Sequence, residues 1–324
     1  MLIRLTKSNH SAQLGLLILL ILALWARNFV VITPTEIVEQ QTLLYSALFG
    51  WTKTYIVLAK ILAFVCVCLQ AFILNEIVKA HSISKNSIFI ALIYVVLMSA
   101  QSSWQTMQPF IISNFFILGA YWYLFKIYDR KEPYGFVFNA SLLLALASLF
   151  SASLLPFGLI TLWIFLAYPI NQWREWVITI IGFSFPFFVM YLWASLTERL
   201  DVFSDFLIPI LNFSGLKKLV EMPLFVQIFI AAAFVFSLVG VGFMRFRAKN
   251  NEISQRKKIV AIKMGVFWIV ATALLTSYSP VHLATLFIFS AFFIAEWFYK
   301  SKQQWLPELL FVGFLVVAFG VQYL

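Results

Sequence analysis

The chain has 324 residues, 63% of them hydrophobic and only 11% charged, with a formal net charge of +10. So little polar surface cannot clothe a water-soluble globule, which excludes soluble enzymes and soluble binding modules and leaves a protein embedded in a bilayer. The surplus of Lys and Arg then belongs at a membrane rim beside anionic headgroups, with no nucleic acid needed to explain it.

A helix needs about 20 apolar residues to cross the hydrocarbon layer, and polar breaks divide this chain into about 11 such stretches. They cover residues 12–32, 54–78, 87–101, 109–127, 135–151, 154–170, 175–197, 223–244, 262–279, 282–299 and 305–324. Unbroken runs such as LGLLILLILALW point to helices, because an outer-membrane barrel would alternate in polarity over about ten residues at a time. The predicted fold is therefore an all-α membrane protein forming a single transmembrane domain over 1–324. The first stretch reads as a retained anchor, since no small-residue cleavage pattern follows Leu24-Trp25-Ala26-Arg27. The tetrapeptide FSAS at 150–153 divides residues 135–170 into two spans or one broken helix. Residues 198–222, with DVFSDFLIPILNF, read as an outer interfacial segment between a core at 12–197 and the C-terminal helices at 223–324.

Counted by alternating sides, the 23 Lys and Arg fall mostly on the side of the amino terminus. The other side holds Arg27, Lys53, Lys60, Arg199, Lys217 and Lys218, matched there by Glu36, Glu39, Glu198, Asp201, Asp205 and Glu221. The positive-inside rule then makes the amino terminus cytoplasmic and the carboxyl terminus outer, in a multi-pass protein of a bacterial inner membrane. On the cytoplasmic side, MRFRAKNNEISQRKK (244–258) reads as a solvated loop that sets topology. NQWREW (171–176) reads as an interfacial belt.

The outer side gathers the polar residues of interest. Pro34 ends the first span in ITPTEIVEQQ (32–41), and from Thr35 the apolar Ile37, Leu43, Leu44, Ala47 and Leu48 alternate with Glu36, Glu39, Gln40 and Gln41. This predicts a short amphipathic surface helix, capped by Thr35, with both glutamates in its first turn. Arg27 precedes the outer end of the first span, and Lys53 and Lys60, seven apart, fall on one helix face. Gln101, Gln105 and Gln108 surround Trp104 in the next outer connection, and Tyr278 and His282 share that side. Together they predict an outward-opening polar cavity. Each also has a plain reading: Glu36 and Glu39 as dipole partners, Lys53 snorkelling, Arg27 in an ion pair with Glu36 or Glu39, His282 as a packed or capping side chain. Cys66 and Cys68 are turned about 200° apart on a helix and share no ligand, and the histidines are too scattered to form a metal cluster.

LMSAQSSWQTMQPFIISNFFILGAYWYLFK, SLLLALASLFSASLLPFGLITLWIFLA and IIGFSFPFFVMYLW, with the acidic first outer loop, give residues 12–197 a layout that resembles the GT-C superfamily of membrane glycosyltransferases. The stretch LALASLFSASLLPFGLITLWIFLAYPINQWREW is also similar to an uncharacterised family of bacterial polytopic inner-membrane proteins. The GT-C resemblance implies Glu36 or Glu39 as the catalytic acid of the first outer loop. It places Arg27, Lys53 and Lys60 on the phosphate of a polyprenyl-phosphate-linked sugar, and the polar cavity read from the residues adds Gln101, Gln105 and His282 to the substrate-binding set. It brings a divalent metal only if the chain is such an enzyme; no other cofactor is expected. The pattern departs from the family in the second outer loop, where Gln101, Gln105 and Gln108 stand in place of an acid.

Three functions follow. The first is a GT-C-like transferase acting on a lipid-linked sugar at the outer face. The second is a noncatalytic GT-C-like subunit of a cell-envelope membrane complex, with a membrane-protein partner. The third is a lipid or solute transporter. Membrane lipids are the common partner in all three.

Overall fold

In a computed structural model of the chain, the described residues are 11–30, 42–84, 87–99, 102–128, 130, 132–168, 173–199, 206, 224–247, 253–275, 280–301 and 305–323. Among them all regular structure is helical. The α-helices are α1 (Ser11–Val30), α2 (Leu43–Phe49), α3 (Ile56–Ala80), α4 (Ser87–Met98), α5 (Pro109–Ile127), α6 (Tyr134–Phe150), α7 (Ile160–Ala167), α8 (Trp173–Leu196), α9 (Leu224–Arg247), α10 (Ile253–Leu275), α11 (Pro280–Lys300) and α12 (Trp305–Tyr323). Three 3₁₀ stretches, Gly50–Lys53, Ser102–Gln105 and Ala152–Leu159, fall at turns. Four segments are long and apolar enough to cross a membrane: Ile56–Ala80, Pro109–Ile127, Trp173–Leu196 and His282–Tyr299. Shorter apolar stretches lie at Leu19–Val30, Ile88–Met98, Tyr134–Phe150, Ala152–Leu166, Ala231–Gly242 and Trp305–Gly320.

Which residues turn inward follows the logic of a protein solvated by lipid. Helix α3 presents Val57, Leu58, Ile61, Val65, Leu69 and Phe72 to its surroundings and buries Ala59, Ala63, Cys66, Val67 and Ala71. Helix α8 does the same, turning Gly182, Pro186 and Ala194 inward while Ile180, Phe185 and Phe188 face out. Lipid tails are as apolar as leucine, so large side chains gain nothing by hiding and small ones let backbones approach. A Cβ on Gly182 would stand 2.9 Å from the Phe138 carbonyl oxygen of α6, which explains the close α6–α8 seam.

Cross-helix pairs fix the directions. Ser113 donates to the Ala147 carbonyl at 3.0 Å, and Phe116 stacks on Phe150 while Tyr123 meets Phe136, so α5 and α6 run antiparallel. The chain then reverses at Ser151, whose extended backbone (φ −141°, ψ 99°) ends α6. His282, at the start of α11, lies beside Ser153, and Phe289 beside Phe157; Tyr128 and Tyr168 meet at the far ends of α5 and α7. Residues 134–168 thus form two antiparallel helical segments that reverse at Ser151. The returning segment is short in residues but not in length. Eight residues of 3₁₀ helix followed by eight of α-helix rise about 28 Å, because a 3₁₀ turn climbs about 2 Å per residue.

Two sequence expectations are corrected here. The 244–258 stretch is not one solvated loop: its first residues complete α9 and residues 253–258 form the first turns of α10. There Gln255 donates to the Ser82 carbonyl at 2.9 Å and Lys258 is buried. Strict alternation also makes α9 and α11 parallel. Instead Phe236 stacks on Trp297 at 5.6 Å and Gly240 abuts the Phe293 backbone, so residue numbers run in opposite directions along the seam. Gly240 permits that contact because any Cβ would collide with the Phe293 carbonyl.

The bundle has one cation-rich end. His81 against Trp122 and Phe125, Phe165 against Trp176, and Gln255 against Ser82 bring together the segments that carry Lys79, Lys126, Arg130, Arg174, Arg256 and Lys257. Arg27, Lys53 and Lys60 lie at the opposite end.

Candidate functional site

At that opposite end the last turn of α1 leaves backbone carbonyls without intrahelical donors, as every helix does. Lys60 answers one of them: its Nζ donates to the Asn28 carbonyl at 2.9 Å, from a side chain only 1% exposed. The C-terminal end of a helix carries partial negative charge, so an ammonium is electrostatically suited to it. Asn28 then donates through Nδ2 to the Gln105 carbonyl at 2.7 Å. Gln105 Nε2 faces the carbonyls of Leu24 and Ser99 at 3.4 and 3.3 Å. Trp25 Nε1 donates to Ser99 Oγ at 3.1 Å, and Ser99 Oγ donates to the Val95 carbonyl. Phe64 packs its ring against Trp25 and Phe29 below this layer. The result is a buried polar layer joining α1, α3, the end of α4 and the Ser102–Gln105 turn.

Not every atom in that layer is satisfied internally. Gln105 Oε1, Gln108 Oε1 and Trp104 Nε1 are buried without a hydrogen-bond partner. Trp104 packs between Phe110 and Phe287. A buried amide oxygen left without a donor costs roughly 1–3 kcal/mol.

The predicted residues are distributed as follows. Lys60 and Gln105 come together through Asn28, and Arg27 is half-buried on the same last turn of α1. Lys53 does not share the Lys60 face. It belongs to the 3₁₀ turn Gly50–Lys53 and is exposed, because the backbone at Tyr55 (φ −107°, ψ 71°) breaks the helix before α3 begins. His282 is buried with Nε2 3.3 Å from the Ser153 carbonyl, in a neighbouring part of the same end. Glu36, Glu39 and Gln101 lie outside the described residues. A single surface helix from Thr35 through Leu48 does not form, since Thr42 is extended and caps a helix starting at Leu43. Helix α2 is pinned over this end by Thr42 Oγ1 donating to the Phe150 carbonyl and Tyr45 OH donating to the Met107 carbonyl at 2.9 Å.

A second polar network lies deeper, and of its members only Asn114, just inside its span, stands out as a polar residue in the sequence. Gln70 Nε2 donates to the Ile111 carbonyl at 2.5 Å, and Tyr94 OH donates to Gln70 Oε1 at 2.6 Å. Thr285 Oγ1 donates to Asn114 Oδ1 at 3.0 Å, and Asn114 Nδ2 reaches the Ala284 carbonyl. All four side chains are fully buried, and they bridge α3, α4, α5 and α11. Near the cation-rich end, Glu296 is buried and accepts from Ser84 Oγ. The available signal was an amide or carboxylate inside an apolar run, as in VCVCLQAFIL and FFIAEWF. No family model, curated protein or solved structure matches the chain.

Proposed function

We propose that the chain is a noncatalytic, GT-C-like subunit of a membrane complex, whose outer end serves as a rigid platform for loops and partners. The observation that carries this reading is the use made of Lys60. The cation that the resemblance assigns to a donor phosphate instead caps helix α1, and its neighbours Asn28, Gln105, Trp25 and Ser99 direct their donors to one another and to backbone carbonyls. An ammonium held this way orders the outer end and has one fewer donor for a phosphate.

A second reading, a transferase for a polyprenyl-phosphate-linked sugar, draws on the buried side-chain oxygens of Gln105 and Gln108. Amide oxygens accept hydrogen bonds from sugar hydroxyls. In this reading Glu36 or Glu39 is the base. One experiment separates the two. The chain is purified in mild detergent from cells carrying either the native sequence or the double variant Glu36→Gln/Glu39→Gln, and the cells' lipid-linked glycans are profiled. The subunit reading expects a stoichiometric membrane partner with both forms and an unchanged glycan profile. A solitary protein, together with a profile lost in the double variant, overturns it in favour of the transferase.

A further inference from the structure

At the cation-rich end, a surface groove of about 290 Å³ opens between the first turns of α6 and α8, lined by Tyr134, Trp173, Arg174, Val177 and Ile178. Its lining surface is almost wholly apolar, and the charge stands beside it. Arg174 and Trp173 stand exposed at the rim, Trp173 at 71%, while Val177 leads onto Ile180, Ile181, Phe185 and Phe188, the outward face of a helix that little else covers. Positive charge is reinforced nearby. Lys126 Nζ sits 4.5 Å from the centre of the Trp122 ring, and the Arg130 guanidinium lies 5.8 Å from the centre of the Phe136 ring, in the same first turn of α6 as Tyr134. Glu132 is exposed there, whereas Glu175 is buried at 1% and does not line the groove.

We propose that this groove is a headgroup site for an anionic phospholipid, with the phosphate on Arg174, the glycerol region beside Trp173 and one acyl chain along the exposed apolar face of α8. Charge complementarity selects the occupant. A guanidinium pairs with phosphate through paired donors, an indole prefers the headgroup depth, and the wall below is hydrocarbon-compatible. A partner protein would have to cover the apolar face and the cation together, whereas a lipid matches both by construction. The proposal concerns the opposite end from the Lys60 layer and does not depend on the reading given for it.

The test uses the full chain purified in detergent and examined by native mass spectrometry with phosphatidylglycerol, phosphatidylcholine of the same acyl chains, and glycerol 3-phosphate. The expected result is selective retention of phosphatidylglycerol, weakened about fivefold in Arg174→Gln, the loss of one interfacial cation, and unchanged in Lys79→Gln, a cation of the same end outside the groove. Val177→Trp, which fills the groove from an exposed position, abolishes retention and decides the matter should Arg174→Gln fold poorly. Equal retention of phosphatidylcholine, displacement by equimolar glycerol 3-phosphate, or an equal loss in Lys79→Gln overturns the proposal.

Discussion

Lys60 shows how much one side chain's surroundings change its meaning. Seen as a cation about 10 Å below the start of a span, by the α-helical rise, it is an expensive residue in need of a partner. The partner is the end of α1, through the Asn28 carbonyl. Lys60→Met keeps the apolar stem and removes the ammonium, so the expected effect is a loss of about 1–2 kcal/mol in stability, the upper range for a polar contact between membrane helices. Thermal unfolding in detergent measures it, with native spectroscopic signals retained at low temperature. A variant as stable as the native chain would show that the bond to Asn28 holds nothing, and would return Lys60 to the list of ligand contacts. Sequence alone could identify Lys60 as a residue needing explanation but not supply one, because its acceptor is a backbone carbonyl 32 residues away. Backbone groups carry no sequence signature. The same holds for Gln105, whose donors are directed at Leu24 and Ser99 carbonyls.

At the scale of elements, helix positions were legible because hydrophobic length is a local property. The stretch 109–127 matches α5, and 305–324 matches α12 to within a residue. Direction and pairing were less so. Antiparallel seams such as α5–α6 follow from a short connection, but α9–α11 is set by a glycine facing a carbonyl and by one aromatic stack. Lys53 was misplaced for a related reason: the helical periodicity assumed across 53–60 is interrupted at Tyr55. The α9–α11 register makes a specific prediction. In a chain with its native cysteines Cys66 and Cys68 replaced by Ala, cysteines at Phe236 and Trp297 cross-link with a short bifunctional maleimide, and cysteines at Phe236 and Phe289 do not. The reverse pattern would establish a parallel pair. The deep network of Gln70, Tyr94, Asn114 and Thr285 explains why α3, α4, α5 and α11 settle in a single register: in hydrocarbon a slipped helix would leave several amide groups unpaired.

For the whole molecule, the described cations outside α9 fall unevenly between the two ends, while the direction of α9 carries Arg245 and Arg247 toward the Lys60 end. Lys79, Lys126, Arg130, Arg174, Arg256 and Lys257 gather at one end through contacts among α3, α5, α7, α8 and α10, while Arg27, Lys53 and Lys60 occupy the other. Positive loops resist translocation, so the first end is expected to face the cytoplasm and the α2-covered end the outside. Lys53 and Lys79 are both exposed and lie at opposite ends, which makes them suitable reporters. In the same Cys66→Ala/Cys68→Ala background, Lys53→Cys is expected to react with a membrane-impermeant maleimide added to intact spheroplasts, and Lys79→Cys only after the membrane is opened. Labelling of Lys79→Cys alone from outside would invert the molecule. It would place the Arg174 groove in the outer leaflet and the Lys60 layer at the cytoplasmic face. Labelling of both from outside would mean that α3 does not cross the bilayer, and the length and apolarity of Ile56–Ala80 would then need a different explanation.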